Sequence, residues 1–246
     1  VGHQFTAPGG LNFEVVYAIN DTTTGYYGMV VRTDDGRIVV VNRGTEPSSF
    51  ADVSVDAQMW ATEVNRQWPA ARDLATWAID NYSQLPVTTG HSLGGALSQM
   101  QAALFGLSGE TFNAFGAAEL VDGVHPNTSI VNNVRSTDLV SSASSHVGSV
   151  SIFATNYDVT PISVQYVRMI TGQSFNWEIP LLDSHSSAQW FGPNGIMTSE
   201  NITNYLNNSA LIDGARNGFQ TLADGADSLA SLVVDVVQQV ATMVSE

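Results

Sequence analysis

At 246 residues, with 43% hydrophobic and 13% charged content, the chain can bury a sizeable core and is too apolar for a disordered segment. Its net charge of −15 sets 23 acidic residues against eight basic ones, all arginine. That balance excludes lysine Schiff bases and a phosphate-loop lysine, and it repels nucleic acid and anionic membranes. Cysteine is absent, so disulfides, thiolate nucleophiles and zinc–cysteine sites are excluded. A secreted eukaryotic enzyme of this size usually carries disulfides; the expectation is a secreted bacterial protein. Its five N-x-S/T matches are then accidental. No signal peptide or transmembrane span is recognisable, and a start at Val1 fits a processed or excised piece.

In chain order, Tyr26 to Thr33 and Arg37 to Asn42 read as strands joined by Asp34-Asp35-Gly36, where glycine supplies the positive φ of a tight turn. Val39-Val40-Val41 lacks polar alternation, as expected of a strand buried on both faces. Trp68, Ala71, Ala75, Ala78 and Tyr82 form one helical face, with Pro69 suited to a first turn. Leu85 to Thr89 is a short strand, and a helix follows through Leu93, Leu97, Met100, Leu104 and Leu107, closed by Gly106, Ser108 and Gly109. Thr111 to Phe115, Ile130 to Arg135 and Val147 to Ala154 complete the strands. Strands alternating with helices predict an α/β fold with a mostly parallel central sheet flanked by helices.

Two segments fall outside that rhythm. Residues 157–182 carry Val164, Tyr166, Met169, Ile170, Phe175 and Trp177, and read either as a long connection or as an apolar cap over a lipid cleft. Leu229, Leu232, Val233, Val236, Val237, Val240 and Val244 form an amphipathic stripe whose polar side has no basic residue, a poor match for an anionic-membrane anchor. The organisation read from this is a catalytic domain over 1–200, with 157–182 as its cap or insertion. A helical extension over 201–246 packs on it or leads to a further domain.

Between the strand Leu85 to Thr89 and the helix after it lies Gly90-His91-Ser92-Leu93-Gly94-Gly95, of the form G-x-S-x-G. In a strand–turn–helix context this is a nucleophile elbow, which lifts a serine hydroxyl above the end of a sheet. A side chain two residues before or after the serine would collide with the neighbouring strand or helix, hence the glycines. An elbow serine needs a base, an acid to orient it and donors for the oxyanion.

Of five histidines, His3 precedes the serine and His91 sits inside the elbow, its side chain expected to point away from the site, which leaves His125, His146 and His185. His185, just ahead of a short helix through Trp190, suits the base; His146 is the rival but follows the candidate acid closely. Asp138 follows a predicted strand directly and can reach the imidazole, whereas Asp122, before Gly123, reads better as a turn residue. The oxyanion donors are the N–H of Leu93 and, after the early strand ending in Arg43-Gly44, the N–H of Thr45.

These motifs resemble the class-three (fungal-type) lipases of the α/β-hydrolases, a family that includes bacterial lipases and phospholipases. The likeness rests on Val41 to Thr45, Asp52 with Asp56, Thr89 to Leu97, Phe112 to Gly116, Asp138-Leu139-Val140 and His185, and covers roughly residues 15–192. It implies hydrolysis of lipid carboxylic esters through Ser92, His185 and Asp138, without a cofactor or metal and with transient contact at lipid interfaces. Val53 stands where the family often has tryptophan, and Glu46 to Phe50 is short and polar for a helical lid. The alternative from another class is a catalytically silent, hydrolase-like binding module of a larger secreted protein.

Overall fold

The computed structural model describes residues 1–7, 10–44, 57–159, 184–192 and 194–224. Eight strands form one sheet in chain order: β1 (Gln4–Thr6), β2 (Asn12–Asp21), β3 (Tyr26–Thr33), β4 (Ile38–Asn42), β5 (Val87–His91), β6 (Ser108–Phe112), β7 (Ser129–Arg135) and β8 (Ser149–Phe153). β1 to β4 pair antiparallel; β4 to β8 pair parallel. The α/β architecture is the expected one, with four of seven pairings parallel. β1 and β2 have no counterpart in the sequence reading. In β2 a register shift between Val15 and Tyr17 interrupts the alternation by which a half-buried strand is recognised.

Two helices, α1 (Ala57–Asn81) and α2 (Leu93–Phe105), lie between β4 and β5 and between β5 and β6. Right-handed crossovers between parallel strands laid down in sequence fall on one face of the sheet. Ile38 and Val40 are accordingly buried with Val64, Ala71, Leu74 and Ala78 of α1 and Leu97 and Met100 of α2. Val39 and Val41, on the other face, are only half-buried, which corrects the expectation of a β4 covered on both sides.

Pro69 lies inside the 25-residue α1 and not in its first turn. It is exposed, as is Asn65 one turn earlier, so the carbonyl that loses its helical partner faces water. Gly106 ends α2 in the left-handed region (φ 68°), and β6 begins two residues later. The predicted strand Thr111 to Phe115 is therefore displaced: it stops at Phe112 because Asn113 has φ 43°.

A polar network is buried between sheet and helices. The Tyr26 hydroxyl donates to Asn42 Oδ1 (2.8 Å), and Asn42 Nδ2 donates to Gln101 Oε1 (2.8 Å) and Ser98 Oγ (2.9 Å). Gln101 Nε2 donates to the Ala71 carbonyl (2.7 Å), tying α2 to α1. Burial raises the Tyr26 pKa well above the ordinary phenol value, so the hydroxyl keeps its proton as the donor of this chain. Because each group is paired in a low-dielectric core, the network fixes the end of β4 against the start of α2.

The C-terminal part contains α3 (Ser199–Asn207) and α4 (Ser209–Asp224). Thr198 Oγ1 accepts the Asn201 N–H (3.1 Å) and starts α3, and Asn204 Nδ2 donates to the Ala154 carbonyl just past β8 (2.9 Å). α4 returns to the main core through Phe219 and Ala223. No helix among the described residues is long and apolar enough to cross a membrane. The stripe of 229–244 and residues 160–182 of the expected cap lie outside the described residues.

Candidate active site

Ser92 stands between β5 and α2 with φ 59° and ψ −129°, a strained conformation for a residue with a Cβ. The glycines around it are a packing requirement. A Cβ on Gly94 would lie 2.3 Å from the Asn42 carbonyl oxygen of β4, and one on Gly90 would lie 2.3 Å from the Gly94 carbonyl oxygen. A Cβ on Gly95 would meet that of Ala114 at 2.4 Å. The turn is tied to β6 as well: the Ser92 N–H donates to the Phe112 carbonyl (3.2 Å), and the Phe115 N–H donates to the Ser92 carbonyl (3.3 Å). Ser92 Oγ is buried and accepts or donates no hydrogen bond among the described residues. Leu93 opens α2, where the helix provides its N–H with no acceptor of its own. Thr45 lies outside the described residues. Gly44 is the nearest described neighbour, and a Cβ there would lie 3.2 Å from the Ser92 Cβ.

His185 Nδ1 is 2.8 Å from Asp138 Oδ1, with both residues buried. Asp138 Oδ2 accepts the Ser141 N–H (2.9 Å), while the Ser142 hydroxyl donates to the Asp138 carbonyl (2.7 Å). Burial pushes the Asp138 carboxyl upward, but the facing His185 charge and the bonds from His185 and Ser141 outweigh it and hold the pKa below the usual value. An ionised carboxylate accepts only, so the proton of neutral His185 sits on Nδ1 and Nε2 is left as the acceptor.

The remaining candidates are elsewhere. Asp122 and His125 are exposed, and His125 Nδ1 accepts the Asn127 N–H (3.2 Å). His3 is exposed near the N-terminus. His146 Nε2 donates to the Ser141 carbonyl (2.8 Å) and not to the Asp138 carboxylate. Burial, reinforced by the Arg216 charge, lowers its pKa to about 4.

His91 corrects the sequence expectation. Its ring lies 4.7 Å from that of His185, and Nε2 donates to the His185 carbonyl (2.6 Å). Burial, and then the His185 charge, lower its pKa to about 4, so at neutral pH it is an uncharged donor bracing the backbone of His185. Register explains the error. His91 belongs to β5 and shares a face with Phe112, the half-covered face over which the 184–191 segment folds.

Asn113 is a second residue the sequence did not flag. Its Nδ2 donates to the Ser184 carbonyl (2.7 Å) and its Oδ1 accepts the Arg135 N–H (2.8 Å). Arg135 in turn forks onto Asp158 (Nη2 to Oδ1 2.7 Å) and reaches Gln189 Oε1, and Gln189 also donates to the Ser184 carbonyl. The segment bearing His185 is thus held from β5, β6 and β7 together. The only sequence signal is an asparagine directly after a strand, where a left-handed turn tolerates it.

A buried serine on a strained strand-to-helix turn after β5, with a buried histidine–carboxylate pair whose acid follows β7, is compatible with the architecture of an α/β-hydrolase. The chain belongs to the phospholipase-like family of Tle-like phospholipase domains, whose model matches residues 10–176. It is a lipid ester hydrolase by that membership. Among solved structures it is similar to a triacylglycerol lipase from Penicillium expansum, at 20% identity and a TM-score of 0.43, over 63% of this chain and 72% of that one. It is also similar to the native propeptide complex of Rhizomucor miehei lipase, at 17% identity and a TM-score of 0.44, over 59% of this chain and 58% of that one. No curated protein matches the chain.

Proposed function

We propose that the chain cleaves a carboxylic ester of a phospholipid or acylglycerol through Ser92, His185 and Asp138. Ser92 Oγ attacks the ester carbonyl while His185 Nε2 takes its proton, and Asp138 stabilises the imidazolium formed. The N–H groups of Leu93 and Thr45 receive the oxyanion. Collapse of the tetrahedral intermediate expels the alcohol, protonated by His185, and leaves an acyl-serine. Water, deprotonated by the same histidine, then releases the fatty acid and restores the serine.

The supporting observation is the 2.8 Å His185–Asp138 pair, held by backbone contacts to the same strand ends that carry Ser92. The decisive experiment compares wild type with Ser92→Ala on phospholipids labelled separately at each acyl chain, on triglyceride and on nitrophenyl esters of graded chain length. Fatty-acid release from phospholipid, reduced by about four orders of magnitude in Ser92→Ala with an unchanged fold, is expected. Turnover of acetate or butyrate esters alone would defeat the lipid reading. Turnover unaffected by Ser92→Ala would defeat the nucleophile. A fully silent wild type would favour the binding-module alternative.

A further inference from the structure

Arg216 is the one arginine between positions 169 and 246, and it lies on α4, forty residues beyond the end of the family match. Its Nη2 donates to the Ser141 carbonyl (2.9 Å), its Nη1 to the Arg135 carbonyl (3.3 Å), and both reach Ser141 Oγ at 3.4 Å. Ser141 is the residue whose N–H binds Asp138 Oδ2. The guanidinium therefore clamps the turn of Asp138 to Ser141, and the Ser141 carbonyl also receives the neutral His146. A planar fork is suited to this: its two terminal nitrogens reach separate carbonyls and the hydroxyl from fixed positions, whereas an ammonium presents its donors from a single atom.

We propose that Arg216 is a positioning residue for the base–acid pair, fixing the 138–141 turn and tempering the negative field of Asp138 at His185. The inference rests on the reading of those two residues as acid and base. The groups around the pair limit what else could act there. From β5 comes His91 and from the segment before β8 His146; facing Arg216 itself, from α3 and α4, are Tyr205 and Asp213, whose hydroxyl and carboxylate are bonded to each other (3.1 Å). Arg135 is engaged with Asp158. Burial pulls the Arg216 pKa below the ordinary arginine value, and Asp138 and Asp213 act against that. An arginine remains cationic under those conditions.

Removing the cation leaves Asp138 less opposed, which favours the imidazolium. Arg216→Gln keeps a donor and loses the charge. The acidic limb of its kcat/KM profile, and the His185 titration midpoint followed by NMR, are expected to move up by about half a unit. Its kcat is expected to fall about tenfold, with KM changed less than about twofold. Arg216→Lys keeps the charge and loses the fork, so the limb stays at the wild-type position while kcat falls several-fold. A folded Arg216→Gln protein with an unmoved limb and midpoint would overturn the inference. If that variant does not fold, Arg216→Lys decides: wild-type kcat overturns it, and reduced kcat at constant KM supports it. A wild type without esterase activity contradicts the proposed function only, since the NMR midpoints still report the coupling.

Discussion

The serine side of the site and the histidine side are held by different physics. Ser92 is fixed by exclusion: Gly90, Gly94 and Gly95 bring backbones so close that no side chain fits, and the turn has one way to fold. His185 is fixed by attraction, through hydrogen bonds from His91, Asn113 and Gln189 to the backbone of 184 and 185. A steric constraint fails in stability when broken, because the neighbouring backbone must move. A hydrogen-bonded one fails in precision, because the segment relaxes by fractions of an ångström.

Substitutions should separate the two. Gly94→Ala places a Cβ 2.3 Å from the β4 carbonyl oxygen, and we expect a loss of about 3 kcal/mol in urea unfolding. Asn113→Ala removes two side-chain bonds and retains a positive φ. It should cost about 2 kcal/mol and lower kcat about tenfold or more in the folded fraction, measured against titrated active sites. A wild-type kcat in that variant would mean the histidine segment has another anchor.

A third effect is one of pH, and at neutral pH it vanishes. His91 and His146 have folded-state pKa values lowered to about 4 from 6.5, so between those values the unfolded chain binds more protons than the folded one. Their stabilisation is complete above pH 6.5 and declines as pH falls toward 4, by up to about 1.4 kcal/mol per pH unit for each group. His146→Gln keeps a donor for the Ser141 carbonyl and removes one titrating group. Its unfolding free energy should fall less steeply over that window, and an unchanged slope would place the titration elsewhere.

The same contrast explains what the sequence revealed. The elbow was legible because steric exclusion selects residue type at fixed spacing: only glycine satisfies 90 and 94, and the flanking strand and helix carry their own periodicity. That Asp138 and His185 would pair was legible because Asp138 follows β7 and few histidines competed with His185. The bracing residues were not legible, since a bond from Asn113 to Ser184 joins positions 71 apart and demands only a donor. The orientation of His91 depends on which face of β5 it occupies, and a five-residue strand half-covered on one face gives no clear alternation. Pro69 was misplaced for a similar reason. Whether an interior proline is tolerated depends on water at the carbonyl of Asn65, which is a property of the packed helix.

The central claim is that Ser92 is made nucleophilic by a histidine held on Asp138. The most direct measurement is the rate at which a fluorophosphonate labels the folded protein, with the modified residue located by mass spectrometry. Single-site labelling at Ser92, slowed by orders of magnitude in His185→Ala and more modestly in Asp138→Asn, is the predicted result. Labelling at another residue, or a Ser92 rate that His185→Ala leaves unchanged, would contradict it.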